Sequence, residues 1–153
     1  MSHRRTTRSG LLIALAALPS CGRERPANLG ITDGVLAPCP GTANCVSSDA
    51  SGEAHYVEPF TLASPSEVAW NDVREAIRNL PRVTVIEESG DYLHAEFVSA
   101  IFRFVDDVEL HRRELGDIVA IRSASRLGES DLGVNRKRVE RLGELLRSRG
   151  IIR

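Results

Sequence analysis

The spacing of apolar positions changes along the chain, and each change marks an element. In "TLASPSEVAWNDVREAIRNLP", Val73, Ala76, Ile77 and Leu80 recur at helical spacing, which draws one apolar stripe along a helix. The start signals lie just before it: Ser64 as cap, Pro65 in the first turn and Glu67 three residues after the cap. Pro81 blocks continuation. A helix is predicted over about 65–80.

Beyond Pro81 the period falls towards two. "VTVIEE", "YLHAEFVS", "IFRFVDDVEL" and "DIVAIRSAS" alternate or run apolar and aromatic, which predicts four strands. "SGD" separates the first two, "HRRELG" the last two, and a tight turn at Ser99-Ala100 is expected to join the middle pair. Val139, Leu142, Leu145 and Leu146 return to helical spacing and predict a helix from about Leu132 to Arg149, with Asp131 as its cap. The order helix, four strands, helix implies an α+β domain. Its sheet is expected to be an antiparallel four-stranded meander, with one helix before it and one after it, both packed against it.

Alternation then assigns side chains to faces. With a two-residue turn at Ser99-Ala100, Val98 stands opposite Ile101, Phe97 opposite Phe102, Glu96 opposite Arg103 and Ala95 opposite Phe104. Leu93, Ala95, Phe97, Phe102 and Phe104 share the core face, while His94, Glu96, Arg103 and Asp107 share the other. Placing Val119 and Ile121 in the core sets Arg122 beside Arg103 and Asp107. A slip of one residue would exchange the faces. The alternating charges read as an ion-pair ladder on a wet sheet, or as a groove where Arg103 and Arg122 receive a carboxylate or phosphate, because guanidinium forks suit those anions. Asp106 falls on the core face and needs a partner, either loop amides or an arginine between Arg122 and Arg138.

The run "RSASRLGESDLGVNRKR", residues Arg122 to Arg138, joins the last strand to the last helix. Arg122 to Ser125 finish the strand, Arg126 to Ser130 turn, and Asp131 to Arg138 open the helix. A helix start offers free amides and a partial positive charge, so Ser130 and Asp131 cap it or, with Arg122, Arg126 and Arg136 converging, the same end binds an anion. The final helix is basic, with Arg136, Lys137, Arg138, Arg141, Arg147 and Arg149 against Glu140 and Glu144; such a face is solvated or meets anionic headgroups or polymers.

The N-terminal part speaks of location. "MSHRRTTRSG" is cationic, "LLIALAAL" is a short apolar run and "LPSC" ends in Cys21, the order of a secretory signal. Eight apolar residues cover about 12 Å as a helix, far short of a hydrocarbon core about 30 Å thick. "LPSC" resembles the lipobox of bacterial lipoproteins, with Leu18 and Ser20 before the cut and Cys21 as lipid acceptor; the alternative is an ordinary signal cleaved nearby. Residues 1–20 are therefore expected to be a lipoprotein signal, 21–38 a flexible Pro/Gly-containing tether, and 39–153 a single domain. Gly22 after the cysteine, by resemblance to enterobacterial sorting, points to the outer membrane.

Composition narrows the function. An apolar fraction of 42% with 27% charged residues suits a globular domain. Residues 1–20 hold three of the 20 basic residues and none of the 21 acidic ones, so the chain from Cys21 carries 17 against 21, a balance of −4. No general affinity for nucleic acid follows. In an exported protein Cys39 and Cys45 of "CPGTANC" read as a disulfide. Zinc on Cys39, Cys45 and His55 is the alternative, without an evident fourth ligand, so no metal and no cofactor is expected. No G-x-S-x-G elbow, H-E-x-x-H helix or phosphate-binding glycine loop occurs, which removes the common hydrolases and nucleotide enzymes. Glu96 with Asp107 could form an acid/base pair as in glycosidases, with His94 as a possible base. Arginine neighbours would keep both carboxylates ionised.

"CPGTANCVSS", "YLHAEFVSAIFRFVDDVEL" and "IRSASRLGESDLGVNRKRVE" resemble the family catalogued as domain of unknown function 1499, met in bacteria and plastid-bearing eukaryotes. The resemblance covers about residues 38–147. It rests on Asp106-Asp107, Arg122, Ser123, Ser125, Arg126, Gly128, Ser130, Asp131, Gly133, Asn135, Arg136 and Arg138, and it implies no activity or role for any of them. The expectation is a noncatalytic envelope lipoprotein, a binding or structural module whose candidate ligand residues are Glu96, Arg103, Asp107, Arg122, Arg126, Asp131, Asn135 and Arg136. Its partners would be the membrane, through the lipid, and an anionic small molecule or envelope component. The alternative is an enzyme acting on an anionic or glycan substrate through Glu96, Asp107 or His94.

Overall fold

The first helix starts at Ser66, not Ser64. The Ser66 hydroxyl accepts a hydrogen bond from the Ala69 amide at 3.1 Å, satisfying one of the amides a helix start leaves unpaired, and Ser64 sits outside with its own hydroxyl 3.0 Å from that of Ser66. Helix α1 (Glu67–Arg78) follows. The computed structural model describes residues 24–113 and 117–153. Within them the strands are β1 (Ile31–Thr32), β2 (Val35–Leu36), β3 (Cys45–Ser47), β4 (Phe60–Thr61), β5 (Val83–Ser89), β6 (Tyr92–Val98), β7 (Val105–Arg112) and β8 (Ile118–Ser125), and the second helix is α2 (Val134–Ser148).

The architecture is α+β, with antiparallel pairing between the strands. The four long strands are consecutive neighbours, β5 to β8, but the sheet has six strands: β3 and β4 both pair with the outer edge of β8. The four-stranded expectation is corrected on that point. Strands of two or three residues are too short to show a period.

Apolar side chains from α1 (Trp70, Val73, Ile77), the sheet (Leu93, Val108, Leu110, Ile121) and α2 (Val139, Leu142, Leu146) form one buried core. Both helices therefore cover the same face. Trp70, the only tryptophan in the chain, is fully buried there, and its indole N–H donates to the Gly90 carbonyl at 2.8 Å.

The β6–β7 register differs from the expected one. Glu96 stands opposite Asp107 and Val98 opposite Val105, a shift of four residues from the tight-turn pairing. Residues 99–104 form a wider loop, closed by Ser99 and Phe104: the Ser99 amide donates to the Phe104 carbonyl and the Phe104 amide to the Ser99 hydroxyl, both at 2.9 Å. Two-residue hairpins favour Gly, Asn or Asp, and Ser99-Ala100 supplies none. The shift is even, so His94, Glu96 and Asp107 still share a face, whereas Arg103, Phe102 and Phe104 leave the sheet and become exposed.

The expected tether, from Glu24 onward, lies on the sheet. Asp33 and Gly34 take positive φ (51° and 76°) and turn β1 back on β2, the backbone that a two-residue hairpin demands. Leu36 is buried with Tyr92 and Ala120 on the sheet face opposite the helices, and its amide donates to Asp49 at 2.9 Å. Cys39 and Cys45 are joined by a disulfide, Cα atoms 5.6 Å apart, at the entrance to β3.

Candidate functional site

Alternate residues from Arg122 to Ser125, at the end of β8, point to opposite faces of the sheet, and the candidate residues fall into two clusters, one on each face. The first lies under the N-terminal hairpin. Glu109, opposite both His94 and Arg122 in register, is 0% exposed. It accepts from the Gly30 amide at 2.7 Å, the Tyr92 hydroxyl at 2.8 Å and an Arg122 terminal nitrogen at 2.9 Å. Burial, then the Glu109 charge, raises the Tyr92 phenol far above its usual range. Among the described residues Arg122 Nε is buried without a hydrogen-bond partner.

One step along the same face, Asp107 is 1% exposed. It accepts from His94 Nε2 at 2.7 Å and from Arg126 at 2.8 Å (Nε) and 2.7 Å (Nη2). Arg126 also donates to Glu96 at 2.6 Å, and Arg25 reaches the same carboxylate at 3.0 Å. Burial alone would raise the Asp107 carboxyl, but hydrogen bonds from Arg126 and His94 and their charges outweigh it and hold it below its usual value. Glu96 is lowered against its own burial by Arg126 and Arg25 in the same way. Two hydrogen-bonded carboxylates raise the Arg126 guanidinium, Asp107 foremost.

The second cluster lies between the sheet and α2. Asn135 is fully buried; its amide nitrogen donates to Asp131 at 2.7 Å, Ser125 Oγ at 2.9 Å and the Asn44 carbonyl at 3.0 Å, and its oxygen accepts from Ser123 Oγ at 2.6 Å. Asp131 also accepts from the amides of Gly133 (2.9 Å) and Asn135 (2.7 Å). It therefore closes the start of α2 as expected, although Gly133 occupies the cap position itself. Arg138 turns inward from the basic helix, donates to Asp106 and to Ser123, and lies over the Phe97 ring. Asp106 thus finds its partner in an arginine of the run.

Of the candidate ligand residues, Glu96, Asp107 and Arg126 are brought together and Arg122 lies one strand pair away with Glu109. Asp131 and Asn135 are on the other side of the sheet. Arg103 is in the exposed loop, and Arg136 donates to the carbonyls of Tyr56 (2.9 Å) and Ala54 (3.0 Å). The expected convergence of Arg103, Arg122, Arg126 and Arg136 is corrected accordingly. Glu109, Tyr92 and Asn44 were not singled out by sequence. Glu109 was within reach, since it stands two residues from Asp107 on a strand, hence on its face.

Open space borders both clusters, and one cavity, of about 860 Å³, is lined by Tyr92, His111 and Arg113 beside the N-terminal hairpin. A cavity of about 620 Å³ separates the 99–104 loop from the β8–α2 connection; Phe102, Phe104, Leu127 and Leu132 form apolar walls, with Asp106, Ser125 and Asp131 below. Phe102 and Phe104 stack on one another, centroids 5.6 Å apart. Among the described residues no group of His, Cys, Asp and Glu is arranged to hold a metal ion. The cysteines of the zinc alternative bind each other, and His55 Nδ1 lies 2.9 Å from the Cys45 carbonyl oxygen.

The fold and its two clusters define an α+β domain whose polar residues are spent on joining three layers. A family profile described as protein of unknown function (DUF1499) matches residues 35–146, well over half of the chain, and the chain belongs to that family. No curated protein and no solved structure gives a significant match.

Proposed function

We propose that the protein is a noncatalytic lipoprotein of the bacterial cell envelope, anchored at Cys21, which binds an amphipathic ligand in the cavity between the 99–104 loop and the β8–α2 connection. The observation that carries the binding reading is the state of the acid/base candidates. Asp107 is closed off and bound by His94 and Arg126, and Glu96 is held by Arg126 and Arg25. Neither lines the cavity, and both carboxyls are lowered, opposite to what a general acid at neutral pH requires. The cavity, by contrast, has an apolar wall for the body of a ligand, and Arg103 with the hydroxyls of Ser99 and Ser130 among its lining groups for the polar end.

The anchor reading draws on the cationic start, the short apolar run and "LPSC"; Cys21 itself lies outside the described residues. Among the described residues no helix is long and apolar enough to cross a membrane. Expressed in a bacterial host, the protein is expected to fractionate with membranes, to carry acyl mass on Cys21, and to lose that mass in Cys21→Ser. Recovery of the wild type as a soluble periplasmic protein without acyl mass removes the lipoprotein reading. Titration calorimetry with a panel of amphiphiles of varied headgroup is expected to give one-site binding that Leu127→Asp removes. Turnover of any panel member that is lost in Asp107→Asn would replace the binder with the enzyme.

A further inference from the structure

The end of the domain nearest the cavity carries more exposed apolar surface than any cavity wall needs. Ile101 is 81% exposed, Phe102 72% and Leu132 88%, with Phe104 and Leu127 beside them. These residues come from two connections, 99–104 and β8–α2, which the sheet brings together because β7 begins where β8 ends: Asp106 stands opposite Ser125. Solvent-facing apolar side chains gathered from two segments mark an interaction surface. Arg103 sits in their midst, exposed and, among the described residues, without a carboxylate partner.

Where the N-terminal segment runs tells what this surface meets. Arg25 is bound to Glu96, two residues before the end of β6 and so at this same end of the sheet. Arg25 follows Cys21 by four positions. A chain spans at most about 3.6 Å per residue, so a lipid on Cys21 is held within about 14 Å of Arg25. The far end of the domain, where α2 finishes, is about 22 Å further on, at 1.5 Å per residue of that helix.

We propose that this end is a membrane-docking surface: Ile101, Phe102, Phe104 and Leu132 enter the interfacial layer of the bilayer that holds the Cys21 lipid. The inference deepens the lipoprotein reading and rests on it. Apolar and aromatic side chains gain from leaving water at that depth, while Arg103 keeps its charge at the headgroups with its stem in the apolar layer. The cavity mouth then opens at the bilayer surface, so its amphipathic ligand is a membrane lipid presented from the side. Docking also fixes orientation, with α2 rising away from the membrane.

The test uses the full, acylated chain in vesicles of phosphatidylcholine and phosphatidylglycerol carrying brominated acyl chains, with acyl mass on Cys21 checked first. The buried Trp70 gives a constant background. In Phe102→Trp the introduced indole is expected to shift to the blue and lose emission to the bromolipid, while in Ser148→Trp, at the exposed far end of α2, it does not. Acyl mass without quenching at position 102 overturns the docking alone; absence of both overturns docking and lipoprotein together. Quenching without acyl mass leaves a membrane contact but removes the anchor, and so overturns the proposal that this end docks on the bilayer holding a Cys21 lipid. Equal quenching at both positions overturns the oriented contact. A concentration-dependent dimer in sedimentation, abolished by Phe102→Ser and unaccompanied by quenching, would assign the patch to a second copy of the chain and overturn the proposal.

Discussion

On the face of the sheet away from the helices, Asp107, Glu109, His94 and Arg122 are buried; at the β6–β7 end, Phe102, Phe104 and Ile101 stand in solvent. Both regions depart from the rule that charge lies outside and hydrocarbon inside, but they do so differently. Each buried carboxylate accepts hydrogen bonds from arginine and further donors, so the departure is compensated within the fold. The exposed phenylalanines stack on each other and line the cavity. A satisfied departure reads as architecture, and an unsatisfied one as a surface that waits for something.

That contrast predicts an order of effects. The largest belongs to Glu109: Glu109→Ala leaves Arg122 as an uncompensated buried charge and should cost about 3 to 5 kcal/mol, measured from urea unfolding midpoints. A loss under about 1 kcal/mol would mean that the pair is wet and the contrast false.

Next comes Arg126→Ala, which strands Asp107 and loosens Glu96, with an expected cost of about 3 kcal/mol at neutral pH. Here pH sharpens the comparison. Both carboxyls are lowered in the folded protein, so their contribution is present above their unfolded values near pH 4 and is lost as pH falls through the folded ones. The gap between wild type and Arg126→Ala should therefore narrow in melts run below about pH 4. A gap independent of pH would point to packing rather than charge.

Removing the Cys39–Cys45 bridge by paired serines should cost about 2 kcal/mol, since the closed loop is short; nonreducing mass spectrometry of protein from the periplasm checks the bridge itself. Gly34→Ala should cost about 1 kcal/mol, because a side chain is strained at φ 76° even though nothing crowds it. Hydrogen exchange should show the loss first as faster exchange at the Gly30 amide, which Glu109 otherwise holds. The smallest effect on stability is expected at the exposed end: Phe102→Ser should change the unfolding midpoint by less than about 0.5 kcal/mol, although it is the substitution that should weaken membrane contact. A large stability loss there would show that the loop is part of the core after all.

The elements were legible where many residues repeat one pattern. The α1 stripe, the four long strands and the Val139–Leu146 face each offered several consistent positions, and Val119 and Ile121 lie in the core with Arg122 on the opposite face. The hairpin at Ile31–Leu36 was passed over as tether even though Asp33-Gly34 is a turn dipeptide, because two-residue strands carry no alternation to support it. The pairing of β6 with β7 was misplaced because alternation fixes parity and not distance: a shift of four residues preserves every face and only the loop chemistry tells the two registers apart.

By itself, then, the sequence determined the α+β class, the order of the long elements, the cysteine pair and the family. It also determined that His94, Glu96, Asp107 and Arg122 share a face, since alternation is a property of the local backbone. Only the tertiary structure decided what that face meets. The N-terminal hairpin turns a sheet surface that read as wet into a buried one, and burial makes Glu109 the partner of Arg122 and Arg126 the partner of Asp107 rather than solvated charges. It likewise drew Arg138 inward to Asp106 and left Arg103 outside. Such pairings depend on segments 12 to 91 residues apart in the chain, and no local pattern carries the distance at which they will meet.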